Sequence, residues 1–182
     1  RRTSQLHKKL PVKFMSSSII LCQPDEKKGC SICCGLFNHQ NISKQHLSDF
    51  LFDGIKRERE IKNYECCLES FEVRDKTSHI CPYQAFLAEN KPGCLLHPLF
   101  TGKDNRNRSL FSSSICDKFL CPAHEILSNE EKDTLIKAVD DWYLYSIAIA
   151  DPYSFSEIYK ICIKINQKIN PSLINYGLML HS

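Results

Sequence analysis

The chain has 182 residues, of which 42% are hydrophobic, and its 24 basic and 21 acidic residues leave a formal net charge of +3. This length fits one compact domain, and the interleaved charges give no strong nucleic-acid signal. No segment approaches the roughly 18 to 20 uninterrupted apolar residues of a transmembrane helix, so we expect a soluble protein without a membrane span.

The distribution of residue types divides the chain into three regions. Residues 1–21 form a basic N-terminal segment, for which a solvated terminus is a commoner explanation than contact with an acidic partner. A short strand is predicted between Lys13 and Cys22, where isoleucine and leucine are concentrated. Residues 22–127 hold ten of the eleven cysteines, and residues 128–182 form a C-terminal helical region. We expect these two regions to belong to one compact domain.

The arrangement of the cysteines indicates their chemical state. Their number is odd, and two pairs are adjacent in sequence, Cys33 with Cys34 and Cys66 with Cys67. This arrangement suits free thiols or metal ligands better than a regular disulfide framework. Because no signal peptide is visible either, the sequence favours a reducing, cytoplasmic location. For Cys66 and Cys67, a second metal and a role as small core residues are equally favoured.

The first cysteine block is GCSICCGL, in which Cys30 and Cys33 have the C-x-x-C spacing and Cys34 follows directly. Two thiolates at that spacing can bind one metal from a tight turn, and their sulfurs can accept hydrogen bonds from backbone amides. Gly29 and Gly35 flank the turn and supply the backbone freedom that it needs. A thioredoxin-like redox role is less favoured, because no βαβ pattern surrounds the motif.

A first helix is predicted from about Ser43 to Ile61. Apolar residues recur there at three- and four-residue spacings, and charged residues occupy the opposite face. We expect this helix to pack over the cysteine-rich loops.

Two further cysteine blocks follow this helix, separated by a polar stretch over residues 101–114 that predicts a flexible surface loop. Cys81 and Cys121 are each followed by proline, an arrangement also found after cysteines that bind iron–sulfur clusters. The separations are too long for one zinc finger, but they suit a centre that ties distant loops together. The cysteine and histidine residues of these two blocks are Cys81, Cys94, His97, Cys116, Cys121 and His124.

A second helix is predicted to start after Ser128 and to end near Asp151. Ser128 and Glu131 match the S-x-x-E capping box that begins many helices. One apolar stripe is expected along this helix, formed by Leu135, Val139, Trp142, Tyr143 and Ile149.

A third helix is predicted from Phe155 to Ile169, with Ser154 and Glu157 as its capping box and the following Asn-Pro step as its end. Cys162 lies among isoleucines on this helix, so a small buried core residue is favoured over a ligand.

In order and composition, the cysteine blocks resemble the YkgJ-like family of zinc- or iron-chelating proteins, which is known for a CxxCxxCC motif. The resemblance covers roughly residues 22–121 and implies a bound metal without implying an activity. The matching elements are Cys30, Cys33 and Cys34 as the later cysteines of that motif, Cys81-Pro82-Tyr83, Gly93-Cys94 with Pro98, and Cys116.

The sequence departs from the family pattern at the first cysteine of the motif, which would fall at Lys27. Ser31 also stands at the usual glycine position. Either Cys22 supplies the missing ligand from further upstream or the site has one ligand fewer, and the sequence leaves both open. The sequence also leaves open whether His97 and His124 are ligands.

The sequence therefore predicts a mainly α fold, with cysteine-rich irregular loops around a metal centre that pack against amphipathic helices. An iron–sulfur cluster and zinc both accept four thiolates, so either fits, and the reaction stays unknown. The alternative is a protein-interaction module with a purely structural zinc, whose C-terminal aromatic side chains contact an unknown protein partner. A helix–helix core is the favoured explanation of those aromatics, and no catalytic carboxylate pair stands out. The predicted metal ligands are Cys30, Cys33, Cys34, Cys81, Cys94, Cys116 and Cys121.

Overall fold

The computed structural model describes residues 19–65 and 78–180. The basic segment up to residue 18, most of the predicted N-terminal strand, and Cys66 with Cys67 lie outside the described residues. Those described are mainly helical with one two-stranded sheet, which confirms the predicted helical class. None of their helices is long and apolar enough to cross a membrane. The elements are α1 Lys44–Phe52, α2 Gly54–Glu65, β1 Gln84–Ala88, β2 Lys91–Cys94, α3 Pro98–Thr101, α4 Ser112–Cys116, α5 Ala123–Ile126, α6 Asn129–Ala138, α7 Trp142–Ala150, α8 Pro152–Lys164 and α9 Pro171–Leu180.

The first predicted helix is divided into α1 and α2. The Ser43 hydroxyl caps α1 by accepting a hydrogen bond from the backbone amide of His46. The break lies at Asp53, directly before Gly54 at the start of α2. Gly54 packs against β1 so closely that a Cβ atom there would lie 2.4 Å from the carbonyl oxygen of Gln84. The division therefore lets the chain bend against the sheet, which a single straight helix would not allow.

The second cysteine block is a β-hairpin, so the predicted irregular loop is wrong for this segment. Strands β1 and β2 pair antiparallel, with Gln84 opposite Cys94. Asn90 lies in the turn with a φ of 58°, a left-handed conformation that asparagine tolerates better than most residues. The following polar stretch is also more regular than predicted, since it contains the last residue of α3, a short 3-10 helix over Arg106–Arg108 and the start of α4.

The second predicted helix is also divided, into α6 and α7. The chain turns away from helical geometry at Val139, and the Asp141 side chain caps α7 by accepting from the backbone amide of Leu144 at 2.9 Å. This second cap explains the break, because a capping aspartate starts a new helix and takes non-helical backbone angles itself. Helix α8 begins at Pro152. Helix α8 ends at Lys164, before the predicted end at Ile169. Helix α9 was not predicted, because Pro171 was interpreted as a helix stop, whereas it is the first residue of α9.

The core consists of three clusters of buried side chains. The first contains Leu21 and residues of the C-terminal helices, the second contains Cys81 and its hairpin neighbours, and the third joins α1 to Trp142. Tyr145 and Phe155 belong to the first cluster. The prediction that the C-terminal aromatics form a core is therefore confirmed for Trp142, Tyr145 and Phe155, whereas Tyr153 is exposed.

The two predicted capping boxes give a matched test of stability. At Ser128 the box is confirmed: its hydroxyl accepts from the Glu131 amide at 3.2 Å, and its own amide donates to the Glu131 carboxylate at 2.7 Å. At Ser154 the box is wrong, because Asp151 is the N-cap and accepts from the Ser154 amide. We expect Ser128→Ala to lower the free energy of unfolding by about 1 kcal/mol, and Ser154→Ala to change it by less than about 0.5 kcal/mol. Chemical denaturation of both variants measures the difference, and equal losses would contradict the assignment of the caps.

Candidate metal centre

A tight turn brings Cys22 back to the first cysteine block. The backbone amide of Cys30 donates to the carbonyl oxygen of Cys22 at 2.9 Å. Between them, one carboxylate oxygen of Asp25 accepts from the amides of Lys27 and Lys28, both at 2.7 Å. This side-chain turn folds the intervening residues outward, so Cys22 lies beside Cys30 although seven residues separate them in sequence.

The C-x-x-C-C segment forms a single turn of 3-10 helix. It spans Ile32–Cys34 and ends at Gly35, whose φ of 81° is left-handed and needs glycine. The sulfur of Cys30 accepts from the amide of Ile32 at 3.5 Å, as predicted for a tight thiolate turn. At Gly29 the requirement is for space, because a Cβ atom there would lie 2.1 Å from the carbonyl oxygen of Pro92.

The hairpin positions Cys81 and Cys94 beside this turn. The amide of Cys81 donates to the carbonyl oxygen of Cys34 at 2.9 Å. The fully buried side chain of Gln84 donates from Nε2 to the carbonyl oxygens of both Cys34 and Cys81, each at 2.9 Å. Because Gln84 pairs with Cys94 across the sheet, one glutamine fixes three cysteine-bearing positions relative to one another.

The last cysteine block enters the site through two hydrogen-bonded contacts. Arg106 donates from Nη1 to the carbonyl oxygen of Cys116 at 2.9 Å, and is itself held by the carboxylate of Asp104. The hydroxyl of Ser109 lies 3.0 Å from the sulfur of Cys116. The predicted loop thus supplies a guanidinium and a hydroxyl that orient Cys116, neither of which carries a recognisable sequence signal.

His124 orients Cys121, and its hydrogen bonds determine its tautomer. Its Nε2 accepts from the amide of Leu21 at 3.0 Å, so in the neutral ring the proton lies on Nδ1. Nδ1 is 3.4 Å from the sulfur of Cys121 and donates to it. Burial lowers the pKa of His124, which favours this neutral form. Both ring nitrogens have partners, so this histidine supports a cysteine and is not itself placed to bind a metal.

The cysteines converge on one cavity of about 430 Å³. Six thiols line it, together with His97, Arg106 and Asp117 among its polar residues. Apolar side chains, including Phe111 and Phe119, form most of the remaining wall. Cys81 and Cys121 are buried next to this cavity without lining it. The lining cysteines are Cys22, Cys30, Cys33, Cys34, Cys94 and Cys116.

Burial and mutual proximity keep most of these thiols protonated. Burial, together with a smaller effect of the charges of neighbouring cysteines, raises the pKa of Cys22 to about 12 and that of Cys94 to about 11. Cys33 is the exception, because the Cys34 thiol donates a hydrogen bond to it and lowers its pKa to about 7. The charge of Cys33 also raises the pKa values of Cys30 and Cys121, after the larger effect of burial. The thiols are therefore close enough to interact electrostatically.

The described residues contain no preformed coordination sphere. No three histidine, cysteine, aspartate or glutamate side chains among them form a group that could hold a metal ion. All nine described cysteines are free thiols. Five of the seven predicted ligands line the cavity and the other two are buried beside it, whereas their binding of a metal stays a prediction.

The structure also shows the positions of several residues outside the predicted ligand set. Cys162 is buried at 3% exposure and does not line the cavity, in agreement with its interpretation as a core residue. Asp140 pairs with Lys28 at 3.0 Å and Asp141 caps α7, so both have structural roles. The sequence leaves open whether Cys22 is a ligand. The turn made by Asp25, which brings Cys22 beside Cys30, is the feature that places Cys22 at the site.

Comparisons of the chain with protein-family models, with curated proteins and with solved structures found no match. The resemblance to the YkgJ-like family therefore rests on the order of the cysteine motifs and stays a prediction.

Proposed function

We propose that this protein binds a metal centre, an iron–sulfur cluster or zinc, through the cysteines around the cavity. The observation that supports this proposal is convergence: six thiols from separate segments of the chain line one cavity. Core packing alone scatters isolated cysteines as small apolar residues. A metal centre is the commonest reason to gather many free thiols, because cysteine sulfur is a preferred ligand of both zinc and iron.

The electrostatics of the thiols support the same proposal. Burial raises the pKa of Cys22, Cys81 and Cys94, so their thiolates are costly without a compensating positive charge. A bound cation supplies that charge and displaces the thiol protons, which couples metal binding to pH and to folding.

Hydrogen-bond donors directed at the sulfurs also fit a metal centre. The sulfur of Cys30 accepts from a backbone amide, that of Cys121 accepts from His124, and that of Cys116 lies beside the Ser109 hydroxyl. Hydrogen bonds of this kind orient thiolate ligands and adjust their electron donation to the metal. Ordinary buried thiols need no such donors.

Anaerobic purification followed by metal analysis tests the proposal. We expect stoichiometric iron with acid-labile sulfide and a brown colour if the centre is a cluster, or zinc in a colourless protein. The full chain is used, and iron, zinc and sulfide are measured per folded chain together with the visible spectrum. If neither metal copurifies, and adding iron with sulfide or zinc to the reduced chain leaves its thermal unfolding unchanged, the proposal is wrong.

A further inference from the structure

We infer that the thiols form two adjoining metal subsites rather than one, an inference that rests on the proposed function and adds a stoichiometry to it. The first subsite contains Cys22, Cys30, Cys33 and Cys121. The second contains Cys34, Cys81, Cys94 and Cys116.

Hydrogen bonds link three members of the first subsite, Cys22, Cys30 and Cys121. The amide of Cys30 donates to the carbonyl oxygen of Cys22 at 2.9 Å. The amide of Leu21 donates to His124, whose other ring nitrogen contacts the sulfur of Cys121. His124 therefore links Cys121 to Leu21, the residue before Cys22, and a single peptide hydrogen bond links Cys30 to Cys22.

A separate set of hydrogen bonds links three members of the second subsite, Cys34, Cys81 and Cys94. Cys81 donates its amide to the carbonyl oxygen of Cys34, and Gln84 binds the carbonyl oxygens of both. Gln84 is paired with Cys94 in the hairpin. The charge of Cys116 acts on both Cys81 and Cys94, which places its thiol near theirs. Among these hydrogen bonds, none joins this set to Cys22, Cys30 or Cys121.

The hydrophobic packing divides the cysteines in the same way. Cys121 belongs to the core cluster built on Leu21 and the C-terminal helices, and Cys30 packs against that cluster. Cys81 belongs to the hairpin cluster, against which Cys34 and Cys94 pack. Two independent kinds of contact, hydrogen bonding and apolar packing, thus assign these cysteines to the same two groups.

Cys33 and Cys34 lie at the boundary between the groups. They are adjacent in the 3-10 turn, where the Cys34 thiol donates a hydrogen bond to the Cys33 sulfur. Among neighbouring cysteine charges, Cys33 has the largest effect on Cys22 and Cys30, and in the second group it has the largest effect on its chain neighbour Cys34 and the smallest on Cys94. Cys33 therefore completes the first group, so that each subsite has four thiols, the number that a tetrahedral zinc requires.

A zinc titration of the reduced, metal-free full chain under anaerobic conditions tests the inference. We expect two equivalents of Zn²⁺ to bind per chain. Cys22→Ser and Cys94→Ser each remove a ligand from a different subsite, so each variant is expected to keep one tight equivalent, and the double variant none.

Two controls define the result. Cys162→Ala is expected to bind two equivalents, because Cys162 is buried away from the cavity. A double serine variant of Cys66 and Cys67, which lie outside the described residues, is expected to bind two as well.

Each other outcome has a distinct meaning. One equivalent in the wild-type chain, or loss of all zinc from either single variant while it remains folded, overturns the two subsites but leaves the proposed function standing. No zinc, with no iron or sulfide after reconstitution, overturns the proposed function itself. If a single variant fails to fold, the stoichiometry of the wild-type chain still decides between one subsite and two.

Discussion

Removing the proposed metal with a chelator under reducing, anaerobic conditions is expected to lower the thermal unfolding midpoint strongly. The cysteines come from distant segments, so a bound metal would join the N-terminal turn, the hairpin and the last cysteine block. Apparent binding free energies of structural zinc are about 10–16 kcal/mol in small domains, and that free energy contributes directly to folding. We expect a loss of several kcal/mol here, because the C-terminal helices have their own core.

Thiol reactivity and pH give this experiment two further readouts. Thiols around the cavity are expected to react with a thiol reagent only after chelation, whereas Cys162, buried on α8, is expected to react only when the helices unfold. In the metal-free chain, burial raises the pKa of Cys22 from 9.0 to about 12. Its contribution to stability is therefore complete below pH 9 and lost as the pH rises from 9 to 12.

The metal-loaded chain is expected to lack this alkaline loss, because its thiols have already given up their protons to bind the metal. Unfolding curves of both forms measured across that pH range provide the comparison. Identical midpoints with and without chelator, in protein that metal analysis has found loaded, would contradict a centre that stabilises the fold.

The helical class was predictable because local signals and tertiary packing agree in the C-terminal region. Ser128 and Glu131 form the predicted cap, and four members of the predicted stripe are buried, namely Leu135, Val139, Trp142 and Ile149. The breaks at Gly54 and Asp141 were not predicted. Periodicity continues across both, and what divides the helices is a close approach to β1 in one case and a second capping side chain in the other.

The site was predictable as a set of cysteines but not as an arrangement. Spacing identified Cys30, Cys33 and Cys34, and the Cys-Pro steps marked Cys81. Cys22 depends on a turn made by Asp25, which brings it back to Cys30. That turn is local in sequence, but the contacts that bring Cys94 and Cys116 to the same cavity join distant residues, so no local pattern contains them.

Gln84 gives the clearest example of such a contact, because an ordinary polar residue in a strand holds two cysteine segments together. Its carbonyl oxygen accepts from Arg57 at 2.9 Å, while its side chain reaches Cys34 and Cys81 from a fully buried position. A buried amide with two backbone partners contributes through hydrogen bonds and through the volume that it fills.

Replacing Gln84 by alanine is therefore expected to lower the free energy of unfolding by about 3 kcal/mol, since the change creates a cavity and leaves the Cys81 carbonyl oxygen without this donor. Gln84→Leu keeps most of the volume and isolates the hydrogen bonds, with an expected loss of about 1–3 kcal/mol. Gln45→Ala is the matched control, because the Gln45 side chain is exposed on α1 and, among the described residues, donates to Asp49 in the same helix. We expect that variant to change stability by less than about 0.5 kcal/mol.

The same variants separate a role in positioning the centre from a role in general stability. If Gln84 holds Cys34 and Cys81 in place for a metal, both Gln84 variants should bind Zn²⁺ about 10- to 100-fold more weakly, as is typical when a residue that orients a ligand is lost. Competition with a chelator measures that affinity at a temperature where all variants are folded. A Gln84→Leu chain that unfolds more easily yet binds zinc with unchanged affinity would assign Gln84 to the core alone, because the two cysteines would then reach the metal without it.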